Sequence, residues 1–127
     1  MIKGIHHVSM KCRSDEELEK VKDFYVRVLG LRIYREWKGG VLIDSGSGMI
    51  EVFNRPGGEF RLGVIGHFAL ETDDVDGLAA RVKAAGYTVF DEPGDVVIPA
   101  DPGIPIRKAF CYGPLGEEIE LFCIREA

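Results

Sequence analysis

The sequence is sparing with the residue types that announce special environments. It has 3 cysteines in 127 residues, an odd number with no Cys-x-x-Cys spacing. That speaks against a disulfide framework or a thiolate zinc site, and Cys12, Cys111 and Cys123 read as reduced, mostly buried thiols of a cytoplasmic protein. Long hydrophobic runs are missing, and none approaches the ~20 residues that span a bilayer, so no membrane association is expected. The N-terminus has no signal-peptide pattern: Met1-Ile2-Lys3-Gly4 leads straight into a histidine-bearing segment. Basic charge is not in excess. The net charge is −5 and cations are interspersed with anions, which argues against nucleic acid as a partner. What is present is an ordinary globular composition, 46% apolar and 29% charged, in a chain long enough for one domain with its own core.

The most informative feature is an internal echo. Ile50-Glu51-Val52-Phe53 returns as Ile119-Glu120-Leu121-Phe122. Each copy lies downstream of a strand-like segment carrying a histidine: His7 in the first, His67 in the second. The histidines are 67 − 7 = 60 residues apart and the glutamates 120 − 51 = 69. The chain therefore reads as one module used twice, about 1–54 and 64–124, within a single domain spanning 1–127.

Each module shows the same order of elements. Segment 4–12 alternates, with His7, Ser9 and Lys11 on one face and Val8, Met10 and Cys12 on the other. Ser14 and Glu17 form a capping-box pattern for a helix running to about Leu29, with Leu18, Val21, Tyr25 and Val28 as its apolar stripe and Gly30 as its stop. Strands are expected at 31–38, 40–45 and 48–54, joined by turns at Gly39-Gly40 and Gly46-Ser47-Gly48. The Gly-Ser-Gly turn could be taken for a phosphate cradle, but a strand follows it, not a helix. Residues 55–63 form the connecting loop. The second module then predicts a strand over 64–72 and a helix capped by Asp73 or Asp74. The apolar stripe of that helix is Val75, Leu78, Val82 and Ala85. Asp73, Asp74 and Asp76 read as first-turn acidic residues suited to the helix dipole, not as a cation site. A strand at 87–91, a long Pro- and Gly-rich loop at 92–105, and strands at 106–112 and 118–124 complete the order βαβββ twice. Alternation puts His7, Glu51, His67 and Glu120 all on the face opposite the helix-packed one.

The pieces Ile5-His6-His7-Val8, Phe24-Tyr25 with Val28-Leu29-Gly30-Leu31, Ile50-Glu51-Val52, Gly66-His67-Phe68-Ala69-Leu70 and Gly113-Pro114-Leu115-Gly116-Glu117-Glu118-Ile119-Glu120-Leu121 resemble the glyoxalase, or vicinal-oxygen-chelate, superfamily over essentially the whole chain. The resemblance implies an α+β fold in which two βαβββ modules form a partly open mixed-sheet barrel around a divalent metal, within one chain or across a dimer interface. It also implies which residues act. His7, Glu51, His67 and Glu120 would be the metal ligands. Glu120 would be the main catalytic base, with Glu51 its counterpart. The metal would be one Ni²⁺ or Co²⁺ per site, with Zn²⁺ also compatible with mixed N and O ligation.

Members differ in this ligand set. Extradiol dioxygenases and fosfomycin-inactivating thiol transferases use His, His and Glu. Methylmalonyl-CoA epimerases use a His, Gln, His, Glu pattern with a longer central connection, and bleomycin-binding members lack the metal. The four ligands here, with the short connection between Glu51 and His67, are most similar to short bacterial glyoxalase I. That enzyme, a lactoylglutathione lyase, isomerises the hemithioacetal of methylglyoxal and a thiol to an S-lactoyl thioester by proton transfer through an enediolate. The chemistry suits the residues: a metal stabilises charge on two adjacent oxygens, and a neighbouring carboxylate takes and returns the proton.

The thiol site is less regular. Glutathione-using members have Arg four residues after the first His and Asn four after the first Glu. Here those places hold Lys11 and Arg55, with Asn54 one residue early. Lys11, Asn54, Arg55 and Lys108 are the substrate-binding candidates, with Arg61 read as a surface cation. His6 is expected to point to the face opposite His7, in a structural or supporting role. Trp37, Phe53 and Phe122 would be stacking surfaces if the chain were a metal-free binding protein. A homodimer is expected.

Overall fold

In a computed structural model of the chain, the structure is described for residues 1, 3, 5–56 and 65–125. Gly4, most of the connecting loop including Arg61, and Val64 lie outside the described residues. The chain divides into two compact units, Met1–Arg61 and Leu62–Ala127.

The first unit holds β1 (His7–Cys12), α1 (Asp15–Lys22), β2 (Arg32–Trp37), β3 (Gly40–Asp44) and β4 (Met49–Asn54). Its mixed sheet has the order β1-β4-β3-β2, with β1 parallel to β4 and the other pairs antiparallel. The second unit repeats this with β5 (Phe68–Glu71), α2 (Val75–Ala84), β6 (Val89–Ile98), β7 (Ile104–Tyr112) and β8 (Glu118–Ile124), in the order β5-β8-β7-β6. Both sheets are open, and in each the histidine-bearing segment is parallel to the glutamate strand. Among the described residues no helix is long and apolar enough to cross a membrane.

The alternation read from the sequence sets the layers. Cys12, Ile50 and Val52 are buried on the helix side of the first sheet, and Ile119 and Leu121 on that of the second. Ile43 and Ile50 face each other across β3 and β4, both essentially without exposure. Each such side chain contributes roughly 1.5–3 kcal/mol of burial. Helix α1 packs on β4, and α2 on β6, β7 and β8.

Four elements differ from the sequence reading. The first helix does not continue as α-helix to Leu29: Asp23–Val28 is a π-helical turn. Phe24 and Tyr25, consecutive on this turn, are both fully buried. The capping box is also modified. Ser14 Oγ accepts from the Glu17 N–H at 3.1 Å, but the Glu17 carboxylate reaches past the cap residue to the Arg13 N–H at 2.6 Å. In α2, whose cap is Asp74, the buried positions are Val75, Ala79 and Val82, and Ala85 is already the C-cap. Finally, residues 92–98 are strand, not loop. β6 is an edge strand, where the N–H that Pro93 lacks need not enter a ladder. Register shifts between Val89 and Gly94 absorb the Pro-Gly pair. Only 99–103 connects β6 to β7.

Candidate metal centre

In the first unit, the register sets Ser9 opposite Glu51 and His7 opposite Met49 on adjacent parallel strands. His7 Nε2 lies 3.7 Å from Glu51 Oε1, with side-chain exposures of 39% and 17%. The Glu51 carboxylate is thus largely sheltered and the imidazole accessible. His7 Nδ1 is 2.9 Å from His6 Nδ1, and the two rings meet edge to face.

The second unit repeats the pairing. His67 stands one residue ahead of β5, not inside it, because pairing with β8 begins at Phe68 opposite Ile119. Its Nε2 is 3.3 Å from Glu120 Oε1, with exposures of 43% and 13%. The His67 ring stands edge-on to Phe110, the residue opposite Glu120 on β7. Phe110 in turn contacts Phe90, which stacks on Tyr112.

The structure therefore brings together His7 with Glu51 and His67 with Glu120. Among the described residues no group of three or more His, Cys, Asp or Glu is gathered as a metal-binding cluster. The donors stand as two pairs, one in each unit. Each pair fits a divalent ion. Two donors each about 2.0–2.2 Å from one ion can be no more than about 4.4 Å apart, and 3.7 Å and 3.3 Å satisfy that bound. The chemistry also fits: imidazole nitrogen and carboxylate oxygen suit first-row divalent metals.

The substrate-binding candidates divide. Lys11 is exposed and sits beside Phe53, on the Glu51 face, with no ion-pair partner among the described residues. The Arg55 guanidinium lies 5.0 Å from the Phe53 ring centre, on the same face. Asn54 does not join them. Alternation turns it to the other face, where its Nδ2 donates to Asp15 of α1 at 2.8 Å and its buried Oδ1 has no partner among the described residues. Lys108 is ion-paired with Asp91 across β6 and β7. Trp37 leans over Gly40 onto Phe53, ring centres 5.6 Å apart. A cleft of about 390 Å³ beside this sheet is lined by residues including Lys3, His6, Tyr34, Asp44 and Ser47.

Sequence reasoning missed the aromatic surround of His67 (Phe90, Phe110 and Tyr112) and the Asp91 partner of Lys108. The register of β7 on β8 could have revealed Phe110 once Glu120 was singled out. Asp91 could not have been found, because the bulged register of β6 is not written in its periodicity.

The sequence profile of the Glyoxalase/Bleomycin resistance protein/Dioxygenase superfamily matches residues 4–121. A search among curated proteins found no significant match. Among solved structures, the chain is similar to a glyoxalase/dioxygenase from Nostoc punctiforme, with TM-score 0.76, 15% identity, and 98% of this chain and 92% of that one covered. It is similar to a glyoxalase/bleomycin resistance protein/dioxygenase from Alicyclobacillus acidocaldarius, with TM-score 0.70, 16% identity, and coverage of 98% and 93%. A lactoylglutathione lyase from Agrobacterium tumefaciens gives TM-score 0.67 at 20% identity, with coverage of 97% and 95%. At these identities the likeness is one of fold.

Proposed function

The chain belongs to the Glyoxalase/Bleomycin resistance protein/Dioxygenase superfamily, and from that premise we propose that it is a metal-dependent isomerase of the glyoxalase I type. Its substrate would be the hemithioacetal of methylglyoxal and a thiol, and its product an S-lactoyl thioester. The observation that carries this reading is the pair of matching His–Glu contacts, 3.7 Å for His7–Glu51 and 3.3 Å for His67–Glu120. His7, Glu51, His67 and Glu120 would hold one divalent ion, Ni²⁺, Co²⁺ or Zn²⁺.

When bound, the ion supplies Lewis-acid stabilisation of the negative charge that builds on two adjacent substrate oxygens. The chain's own residues do the rest. Glu120 takes the proton from one carbon of the substrate and returns it to its neighbour. Its carboxylate is only 13% exposed, so little of it faces bulk water. Glu51, 17% exposed, would do the same from the other pair. Lys11, paired with Phe53 across the strands, and Arg55, over the Phe53 ring, would hold the carboxylate of a thiol. Cys12, Cys111 and Cys123 are free thiols, as suits a reducing, cytoplasmic setting.

The metal-free reading, in which the chain only binds a small molecule, draws on the stack of Phe90, Phe110 and Tyr112. One experiment separates the two. Metal-free protein is reloaded with Ni²⁺, Co²⁺ or Zn²⁺ and given methylglyoxal with glutathione while thioester absorbance is followed. The isomerase reading expects turnover that falls by about 10²–10⁴ in Glu120→Gln. Full metal loading with no thioester would discard the glutathione-dependent reaction.

A further inference from the structure

We propose that His6 is a positioning residue for His7, fixing it in the tautomer whose Nε2 carries a lone pair toward Glu51; this rests on reading His7 as a metal ligand. The two Nδ1 atoms are 2.9 Å apart, a hydrogen-bond distance. Between two neutral imidazoles such a contact needs one proton, so one ring donates and the other accepts. Two arrangements are possible. If His6 donates, His7 carries its proton on Nε2, facing the Glu51 carboxylate. A donor facing a carboxylate closes to about 2.7–2.9 Å. The observed separation is 3.7 Å, beyond hydrogen-bonding reach. If His7 donates, its Nε2 is a bare acceptor beside another acceptor, and the two stand apart until a cation joins them. The geometry points to the second arrangement.

Nothing in the local fold forces this contact. Consecutive residues of an extended chain send their side chains to opposite faces. His6 lies just ahead of β1, which begins at His7, and so escapes that rule. It is exposed, so burial does not press it onto His7. The rings meet at 89° with centres 5.2 Å apart, which aims nitrogen at nitrogen without stacking. His67 has no such support. Its ring meets the edge of Phe110, and among the described residues its Nδ1 has no hydrogen-bond partner. The two halves of the repeat thus differ: one ligand histidine is held by a neighbouring imidazole and the other by an aromatic ring. A hydrogen bond on the nitrogen not used for ligation fixes tautomer and ring orientation, and its loss costs metal affinity about 10–100-fold.

The test uses the full chain without metal, with ¹⁵N-labelled imidazoles, at one fixed pH where they are neutral. Long-range ¹H–¹⁵N spectra report which nitrogen of each histidine is protonated. Wild type is expected to show His7 protonated on Nδ1. His6→Phe keeps a ring of similar size but removes the acceptor, and His7 should move toward the Nε2–H form. His6→Asn offers a carbonyl oxygen instead and should restore the Nδ1–H form. His67 serves as the internal control and should not change in any variant. Titration with Ni²⁺ alone should then show His6→Phe binding about 10–100-fold more weakly than wild type. The proposal is overturned if wild-type His7 is already protonated on Nε2, or if His6→Phe leaves its tautomer unchanged while Ni²⁺ still binds. Absence of Ni²⁺ binding in wild type would sink the metal reading instead, with the tautomer spectra still deciding the role of His6.

Discussion

Gly40→Ala probes the Glu51 face directly. A Cβ at position 40 would lie 2.4 Å from Cε2 and Cζ2 of Trp37 and 2.6 Å from its Nε1. Something must move, and the backbone need not, because the φ of Gly40 lies outside the left-handed region. The indole is 41% exposed, so it can swing outward. Over-packing costs about 1–3 kcal/mol. Alanine regains about 0.5–1 kcal/mol over glycine in a strand interior. The net expectation is a loss of about 0–2.5 kcal/mol, at roughly 3–5 °C of Tm per kcal/mol for a chain of this size. Trp37 is the single tryptophan, so its fluorescence reports the ring without ambiguity. Leaving Phe53 for water should shift its emission to longer wavelength and raise its quenching by iodide. An unchanged emission spectrum with an unchanged or raised Tm would refute the account of why position 40 is glycine.

Other outcomes follow from the same geometry. Asn54→Asp replaces the donor to Asp15 by a second carboxylate; it should cost about 1–2 kcal/mol in chemical denaturation yet leave Ni²⁺ affinity unchanged, because residue 54 faces α1. The Arg107 guanidinium holds the carboxyls of Asp76 and Asp95 below the usual range. Groups so depressed contribute stability above their unfolded values near 3.9, and it is lost as pH falls below that. Arg107→Met should therefore lower Tm slightly at neutral pH, the pairs being exposed, and the difference from wild type should shrink to nothing as pH falls below about 4. Burial, with Glu117 nearby, pushes the Cys111 thiol up to about 11. A disulfide reagent at pH 8 should then modify the part-exposed Cys123 first and reach Cys111 only on unfolding, which mass spectrometry of the labelled peptides would show.

The repeat, both helices and the four His and Glu positions could be read from the sequence because each depends on local period. Alternation alone assigns Val52 and Leu121 to the interior and Glu51 and Glu120 to the other face. The same rule, applied to Asn54, already places it with Val52; the one-residue offset from the expected Asn position is a change of face. What escaped depends on pairing. The π-turn at Asp23–Val28, with Phe24 and Tyr25 both buried on it, leaves no mark in the helical period. β6 looked like loop because Pro93 and Gly94 break its period, and only an edge position with a shifted register makes them tolerable. The ion pair of Lys108 with Asp91 follows from that register and could not precede it. The contact of His6 with His7 was adjacent in sequence yet hidden, because strand alternation holds only once the strand has begun.

The central claim is that both His–Glu pairs serve one divalent ion. Equilibrium dialysis against Ni²⁺ followed by elemental analysis tests it on wild type, His7→Ala and His67→Ala. The account expects one ion per chain in wild type and well under a tenth of that in either variant at micromolar free metal. Two ions per chain, or one ion that survives the loss of either histidine, would contradict it.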